Sequence, residues 1–383
     1  MAFANKRREM KDLELDEVGL AQLLAVLASG GRMLIGPRVR DGAIVYAPID
    51  GIGDLPRGFA DDQSPAHYRL EESQSPAYFG FAAPAQPLKA LFHPSEERLF
   101  SLRRSKNGVT LDVPEPAPQP LAIVGARACD LEGLARLDRV MLLGAHPDVR
   151  YAVRRKDTLI VAAHCTAPAS TCFCASMNTG PRARDFDLAL TELVDSSGTR
   201  FLLEVGTEAG VAVAAALDSK IASDALAEQA ALLVQRAAEA QQRQVDPERA
   251  RASLTEHAEH AHWQSIADRC LACTNCTASC PTCFCSSVED RGGLEVDHAE
   301  RWRRTDSCFN SDFSYLHGGA VRGEVVARYR QWLTHKFSTW YDQFGSSGCV
   351  GCGRCITWCP VGIDVTQELS HFARIADDQG GSK

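Results

Sequence analysis

Long apolar runs, dense basic blocks and nucleotide fingerprints are all missing from this chain of 383 residues. Its apolar stretches, such as L-A-I-V-G-A at 121–126 and L-I-V-A-A at 159–163, fall far short of the roughly 20 residues of a membrane span. No span is expected. The formal net charge is −8 and Lys and Arg are dispersed, which removes the electrostatic basis for phosphate-driven nucleic-acid binding. The glycines of D-G-I-G-D-L-P-R-G at 50–58 do not reproduce G-x-G-x-x-G, and no Walker loop occurs, so no nucleotide site is expected in the chain itself. The opening M-A-F-A-N-K-R-R-E-M-K-D-L-E has a basic start but lacks the apolar core and small-residue cleavage site of a signal peptide. A cytoplasmic location is expected.

Cysteine, by contrast, is plentiful: there are fifteen. Structural disulfides seldom persist in a reducing cytosol, so this many thiols without an export signal point to thiolate chemistry, and metal is the first hypothesis.

Two C-x2-C-x2-C-x3-C-P strings, at 270–281 and 349–360, have the spacing of two-cluster ferredoxins, so the expected fold class is α+β, an N-terminal α/β domain followed by a mostly helical two-cluster ferredoxin domain. Residues 36–50 read as two extended runs joined at Asp41-Gly42, a dipeptide that tolerates the positive φ of tight hairpins. The 121–126 and 158–163 runs suit strands buried on both faces. Between them Leu131, Leu134, Leu137 and Met141 recur at helical spacing, with Asp130 placed to cap the first turn. Strand, helix, strand implies a parallel unit. After a strand candidate at 200–205, residues 211–244 turn rich in Ala, Gln, Glu and Arg, strong helix formers. Asp246-Pro247 suits a helix start, and that helix is expected to run through Trp263 and Ile266 to Cys270. Residues 319–341 again show helical periodicity until Gly345 and Gly348, and the last ten or so residues look frayed. The division expected is 1–210 for an α/β docking domain, 211–262 for a helical connector and 263–383 for the dicluster domain.

Two strings carry the chemistry: C-L-A-C-T-N-C-T-A-S-C-P at 270–281 and C-V-G-C-G-R-C-I-T-W-C-P at 349–360. Both follow C-x2-C-x2-C-x3-C-P, the bacterial ferredoxin pattern for [4Fe-4S] cubanes, in which three cysteines wrap one cube and the fourth completes the other. By that rule Cys270, Cys273, Cys276 and Cys359 hold one cluster, and Cys349, Cys352, Cys355 and Cys280 its neighbour. Zinc also favours C-x2-C pairs, but one zinc would leave half of these eight thiols unused. The 69 positions between Cys280 and Cys349 require helices to bring the motifs together.

Seven cysteines remain. Cys129 and Cys165 fall at the carboxyl ends of the two buried strand candidates, where α/β sheets place ligands, and Cys172 and Cys174 follow in a T-C-F-C loop. A third cluster on these four is one reading, and small buried hydrophobic thiols are the other. A second T-C-F-C at 282–285 permits a rival grouping of Cys172, Cys174, Cys283 and Cys285, and Cys308 lies downstream. His257 and His260, in H-A-E-H-A-H, read as a solvated helix surface.

The sequence resembles the beta subunits of cytosolic sulfhydrogenases, the NAD(P)-linked [NiFe] hydrogenases, and their relative, the electron-transfer subunit of anaerobic sulfite reductase. The resemblance covers roughly 36–365. It rests on S-P-A-Y-F-G-F through H-P-S-E-E-R-L-F (75–100), V-G-A-R-A-C-D-L (124–131), T-C-F-C-A-S-M-N-T-G-P (171–181), C-P-T-C-F-C (280–285), T-D-S-C (305–308), R-Y-R-Q-W-L-T-H-K-F (328–337) and C-V-G-C-G-R-C. It implies a non-catalytic electron-transfer subunit with two [4Fe-4S] clusters, placed between a flavin diaphorase subunit that handles NAD(P) and a hydrogenase small subunit. The chain departs from the family at Ala128, where proline is common, and at Asn178, where glycine is usual. Service to a sulfite reductase is the nearest alternative, and a redox-sensing or scaffolding protein whose clusters only stabilise the fold is a reading from another class.

Overall fold

In the computed structural model the residues described are 11–115, 119–196, 198–292 and 297–380, with 376–380 described by their backbone. The basic opening read for a signal peptide lies outside them, apart from its last few residues. The apolar Leu121–Ala126 and Leu159–Ala163 runs pair in parallel at the centre of an eight-stranded sheet. Its order is Lys220–Ile221, Leu13–Leu15, Gly198–Val205, Leu188–Asp195, Leu159–Ala163, Leu121–Ala126, Met33–Arg40 and Ala43–Pro48. The four strands from Leu188–Asp195 to Met33–Arg40 run parallel, and the outer ones are antiparallel. The turn of the outer hairpin has positive φ at both Asp41 and Gly42, the geometry that matches strand twist.

Alternate residues of the central strands feed opposite faces. Ala122, Val124 and Val161 pack with Leu20, Leu23, Leu24 and Leu27 of the Glu17–Ser29 helix. Ile123, Ile160 and Ala162 pack with Leu131, Leu134 and Leu137 of the Ala128–Leu142 helix. Ala128 occupies the first turn of that helix, where proline is equally at home, and Asn178 has φ 54, a region that glycine also favours. Both departures from the family pattern are conformationally neutral. Asp130 does not cap: its carboxylate is buried inside the first turn and is spent on a distant arginine described below.

The 211–262 stretch divides. The Asp224–Glu239 helix lays Leu226 and Ala230 against Leu193 and Leu202 of the sheet, whereas Pro247–Glu256, capped by Asp246, packs with the C-terminal helices. The helix stops at Glu256 rather than continuing to Cys270, and a separate one spans His262–Ala267. At the break the Trp263 indole donates to the His257 carbonyl. His257 is therefore buried, not on a solvated face.

The C-terminal helices Val325–Thr334, Trp340–Phe344 and Val365–Gly380 enclose a second core. It contains Trp263, Tyr329, Trp332, Leu333, Phe337 and Phe372. The last of these helices extends through most of the tail expected to fray. The segment between the two motifs also holds a β-hairpin, Ser286–Gly292 with His298–Thr305. It pairs with Glu96–Ser105 from the first half of the chain, making a four-stranded antiparallel sheet completed by Gly108–Asp112. Glu97 fastens this junction by accepting from Arg150, Arg154 and Arg303. Burial works against its charge, yet the three guanidinium groups hold its carboxyl below the ordinary range.

Candidate iron-sulfur centres

The first motif starts where the His262–Ala267 helix ends, with the Cys270 amide donating to the Ile266 carbonyl. Ala272 and Thr274 then take left-handed conformations, φ 49 and 69, turning the loop so that Cys270, Cys273 and Cys276 face one chamber. Cys359 closes it from the other motif, and Phe309, Tyr329, Trp332 and Ile363 supply apolar walls. Amides of Ala272 and Ile363 point at the Cys270 and Cys359 sulfurs, both at 3.4 Å. Burial pushes the Cys276 thiol up, and Cys270, Cys273 and Cys359 push it further. A group that neutralises several thiolates at once would relieve that repulsion.

The second chamber is lined by Cys349, Cys352, Cys355 and Cys280, with Phe173, Trp332, Phe337 and Val350. The Gly351 amide donates to the Cys349 sulfur at 3.3 Å, and burial raises the Cys349 thiol to about 12. Lys336 also lines this chamber. It is buried, and its ammonium donates to Thr282 Oγ1 at 2.6 Å while lying in electrostatic reach of Cys280, Cys283 and Cys349. The proline after Cys280 docks on the first half of the chain, because a Cβ at Gly133 would stand 2.7 Å from Pro281.

Each set therefore brings four thiols to one apolar chamber with N–H groups aimed at sulfur, a donor set that fits a cubane.

The structure also sorts the remaining seven cysteines. Cys129, in the first turn of its helix, touches Cys352 and Val350. Cys172 lies in reach of both Cys174 and Cys165, and Cys174 in turn bears on Cys129. Gln241 donates to the Cys174 sulfur at 3.2 Å. Burial raises the Cys174 thiol to about 12. Cys283 and Cys285 are elsewhere, with Cys280 and Cys308, so the rival set of Cys172, Cys174, Cys283 and Cys285 does not assemble.

Three residues that sequence reasoning passed over complete the site. Arg354, inside C-G-R-C, donates to Asp130 Oδ2 at 2.8 Å and to the Pro84 carbonyl. Tyr46 donates to the same carboxylate oxygen. This buried pair lies beside Cys352 and Cys129, between the second chamber and the strand-end group. Arg127 donates to carbonyls of Phe79, Phe81 and Ala82 and to those of Ala163 and His164, tying the strand ends together. For Arg127 and Arg354 the signal was a charged residue inside or next to a cysteine motif, which spacing rules do not weigh; Tyr46 carried none.

Residues 269–363 match the family model of the 4Fe-4S dicluster domain. Over 313 residues the chain is 30% identical to sulfhydrogenase 2 subunit beta of Pyrococcus furiosus, covering 79% of this chain and 88% of that protein. No solved structure matches. The dicluster domain carries two [4Fe-4S] clusters, and no helix among the described residues is long and apolar enough to cross a membrane.

Proposed function

The chain belongs to the family of sulfhydrogenase beta subunits, and on that premise we propose that this iron-sulfur electron-transfer subunit connects a flavin diaphorase subunit that handles NAD(P) to the small subunit of a [NiFe] hydrogenase. The observation that carries this is the unequal exposure of the two chambers. Cys273 is exposed, and Leu271 and Val361 beside it are exposed apolar residues lining the same chamber. An apolar rim over a redox site is a docking surface. The second chamber is enclosed by both halves of the chain. Cys270, Cys273, Cys276 and Cys359 hold one cluster, and Cys349, Cys352, Cys355 and Cys280 the other. Cys129, Cys165, Cys172 and Cys174 hold a third, beside Cys352 of the second chamber.

Bound clusters supply one-electron carriage, at potentials spanning roughly −700 to +450 mV across the class. The protein's part is to hold them rigidly, exclude water and set local charge. The aromatic walls exclude water, the amides of Ala272, Gly351 and Ile363 stabilise thiolate charge, Lys336 and Arg354 place positive charge at the second chamber, and Arg328 acts on Cys270 of the first. No side chain makes or breaks a substrate bond.

Anaerobic purification of the native complex tests the reading. Co-purifying diaphorase and hydrogenase subunits, with cluster signals in this chain that respond to NAD(P)H and to hydrogen, are expected. Sulfite reductase subunits in their place, or clusters that never change redox state, would overturn it.

A further inference from the structure

Cys283, Cys285 and Cys308 are left over when the two chambers and the strand-end group have taken their thiols. They are not left apart. Cys285 and Cys308 lie in electrostatic reach of each other, and Cys308 also lies in reach of Cys283. The β-hairpin enforces this: Ser286 pairs with Thr305 and the Asp306 amide donates to the Cys285 carbonyl at 2.8 Å. Residues on either side of the hairpin's open end, 23 positions apart in the chain, are thereby set side by side. Cys283 is anchored through its carbonyl, which accepts from Lys89 at 2.9 Å.

Two ammonium groups converge on these thiols. Lys89 and Lys336 both act on Cys283 and Cys285, and among the described residues neither is paired with a carboxylate. A buried cation needs a compensating anion. Cys280 of the second chamber reaches both lysines, and Cys349 reaches Lys336, while Cys283 and Cys285 add two further thiols facing Lys89. The internal echo is a further, independent pointer. Each T-C-F-C lends its phenylalanine to the other half of the molecule: Phe173 is in the C-terminal core, and Phe284 packs against the core beneath the main sheet and on Trp340. Each also brings a thiol to the second chamber, Cys172 donating toward the Cys352 carbonyl and Cys283 lying against Cys280.

We propose that Cys283, Cys285 and Cys308 form a further cluster site, holding a [4Fe-4S] centre by three thiolates beside Lys89 and Lys336, next to the second chamber. Three thiols release their protons as each binds one iron, and the fourth iron takes a non-cysteine ligand, water or hydroxide, because no cysteine is left for it. The anionic centre is what the two lysines compensate. In service one electron enters and one leaves, with no bond made to the protein. The proposal depends on the relay reading for its use but not for its ligands.

Iron, acid-labile sulfide and zinc are measured per chain in the anaerobically purified complex, for the wild type and for the double variant Cys285→Ser/Cys308→Ser. With three other clusters present, iron is expected to fall from about 16 to about 12, and with only the two ferredoxin-type clusters from about 12 to about 8. The drop of about 4 is the same either way. It is thus separate from the fate of the strand-end site, which Cys172→Ser/Cys174→Ser reports, and from partner identity. Alkylation of the unmutated, iron-loaded protein supplies a second readout that needs no variant to fold. These three thiols should resist iodoacetamide until a chelator strips the iron. Unchanged iron in the double variant, ready alkylation of all three thiols in the loaded protein, or one zinc lost with the double variant would each overturn the proposal.

Discussion

The two ferredoxin motifs have the same spacing and opposite surroundings. In the first, the two positions that must adopt left-handed φ are Ala272 and Thr274, and the loop lies at the surface with Leu271 and Cys273 exposed. In the second they are Gly351 and Gly353, and the first T-C-F-C loop lies directly on them. The Phe173 amide donates to the Gly351 carbonyl at 2.9 Å, and a Cβ on Gly351 or Gly353 would stand 2.7 or 2.5 Å from the backbone of Cys174 or Thr171. Cluster geometry alone requires only the positive φ, which alanine and threonine meet at a cost. Glycine appears where a second segment must also come close. The motif thus fixes what is bound, and the residues between its cysteines record what covers it: nothing over the exposed Leu271 and Cys273 in one case, the chain's own first half in the other.

The sharpest way to break this comparison is to crowd the covered motif. Gly353→Val meets both the strained φ and the Thr171 carbonyl, and a loss above about 4 kcal/mol is expected. In practice this means little soluble protein, or protein short of about 4 irons, read by metal analysis. Next in size is the buried pair that the second motif makes with the first half. Arg354→Met leaves Asp130 without its cation and should cost about 3–5 kcal/mol, whereas Arg354→Met with Asp130→Leu should recover most of that. Thermal unfolding of the anaerobic protein decides it. Equal destabilisation by the single and double variants would mean that the pair matters for shape rather than charge.

A third test separates the chambers by charge. Lys336 lies beside Cys280 and Cys349, whereas the cation acting on Cys270 of the first chamber is Arg328. At an effective dielectric near 20, one charge a few ångströms away acts by about 3 kcal/mol, on the order of 100 mV for one electron. Lys336→Met should lower the potential of the second cluster by about that amount and leave the first where it was. A potentiometric titration followed by EPR reads both. Equal shifts at both clusters would show that the chambers do not differ as described.

Much of this was legible in the sequence, for local reasons. The Asp41-Gly42 turn, the two apolar central strands and the Asp246-Pro247 helix start depend on neighbours within a few residues. So does the wrapping of three cysteines around one chamber. What escaped was long-range. Asp130 looks like a helix cap because its neighbours are helical, but its partner Arg354 is 224 positions away. The Ser286–Thr305 hairpin carries almost no apolar alternation, because it is held at its edge by Glu96–Ser105 and by the Glu97 ion network rather than by a buried face. His257 looked solvated because the helix break that buries it is set by Trp263 packing on Phe372 at 4.4 Å between ring centroids. The reciprocal exchange of Phe173 and Phe284 is visible as a repeated T-C-F-C, but only contact shows that each serves the opposite core.

The smallest expected effect tests the exposed side of the comparison. At Thr274 the backbone has φ 69, a conformation that costs a non-glycine residue roughly 1–2 kcal/mol, and its neighbours Cys273 and Asn275 are exposed, unlike Gly353, which lies against Thr171. Thr274→Gly removes that strain but adds freedom to the unfolded chain, worth about 0.4–1 kcal/mol in the other direction. The balance is a gain of about 0.5 kcal/mol, with iron content and both potentials unchanged. Paired with Gly353→Val, it makes a prediction of opposite sign at equivalent places in one repeated motif. Loss of iron from Thr274→Gly would mean that the threonine side chain itself shapes the first chamber, and the surface motif would then be as constrained as the covered one.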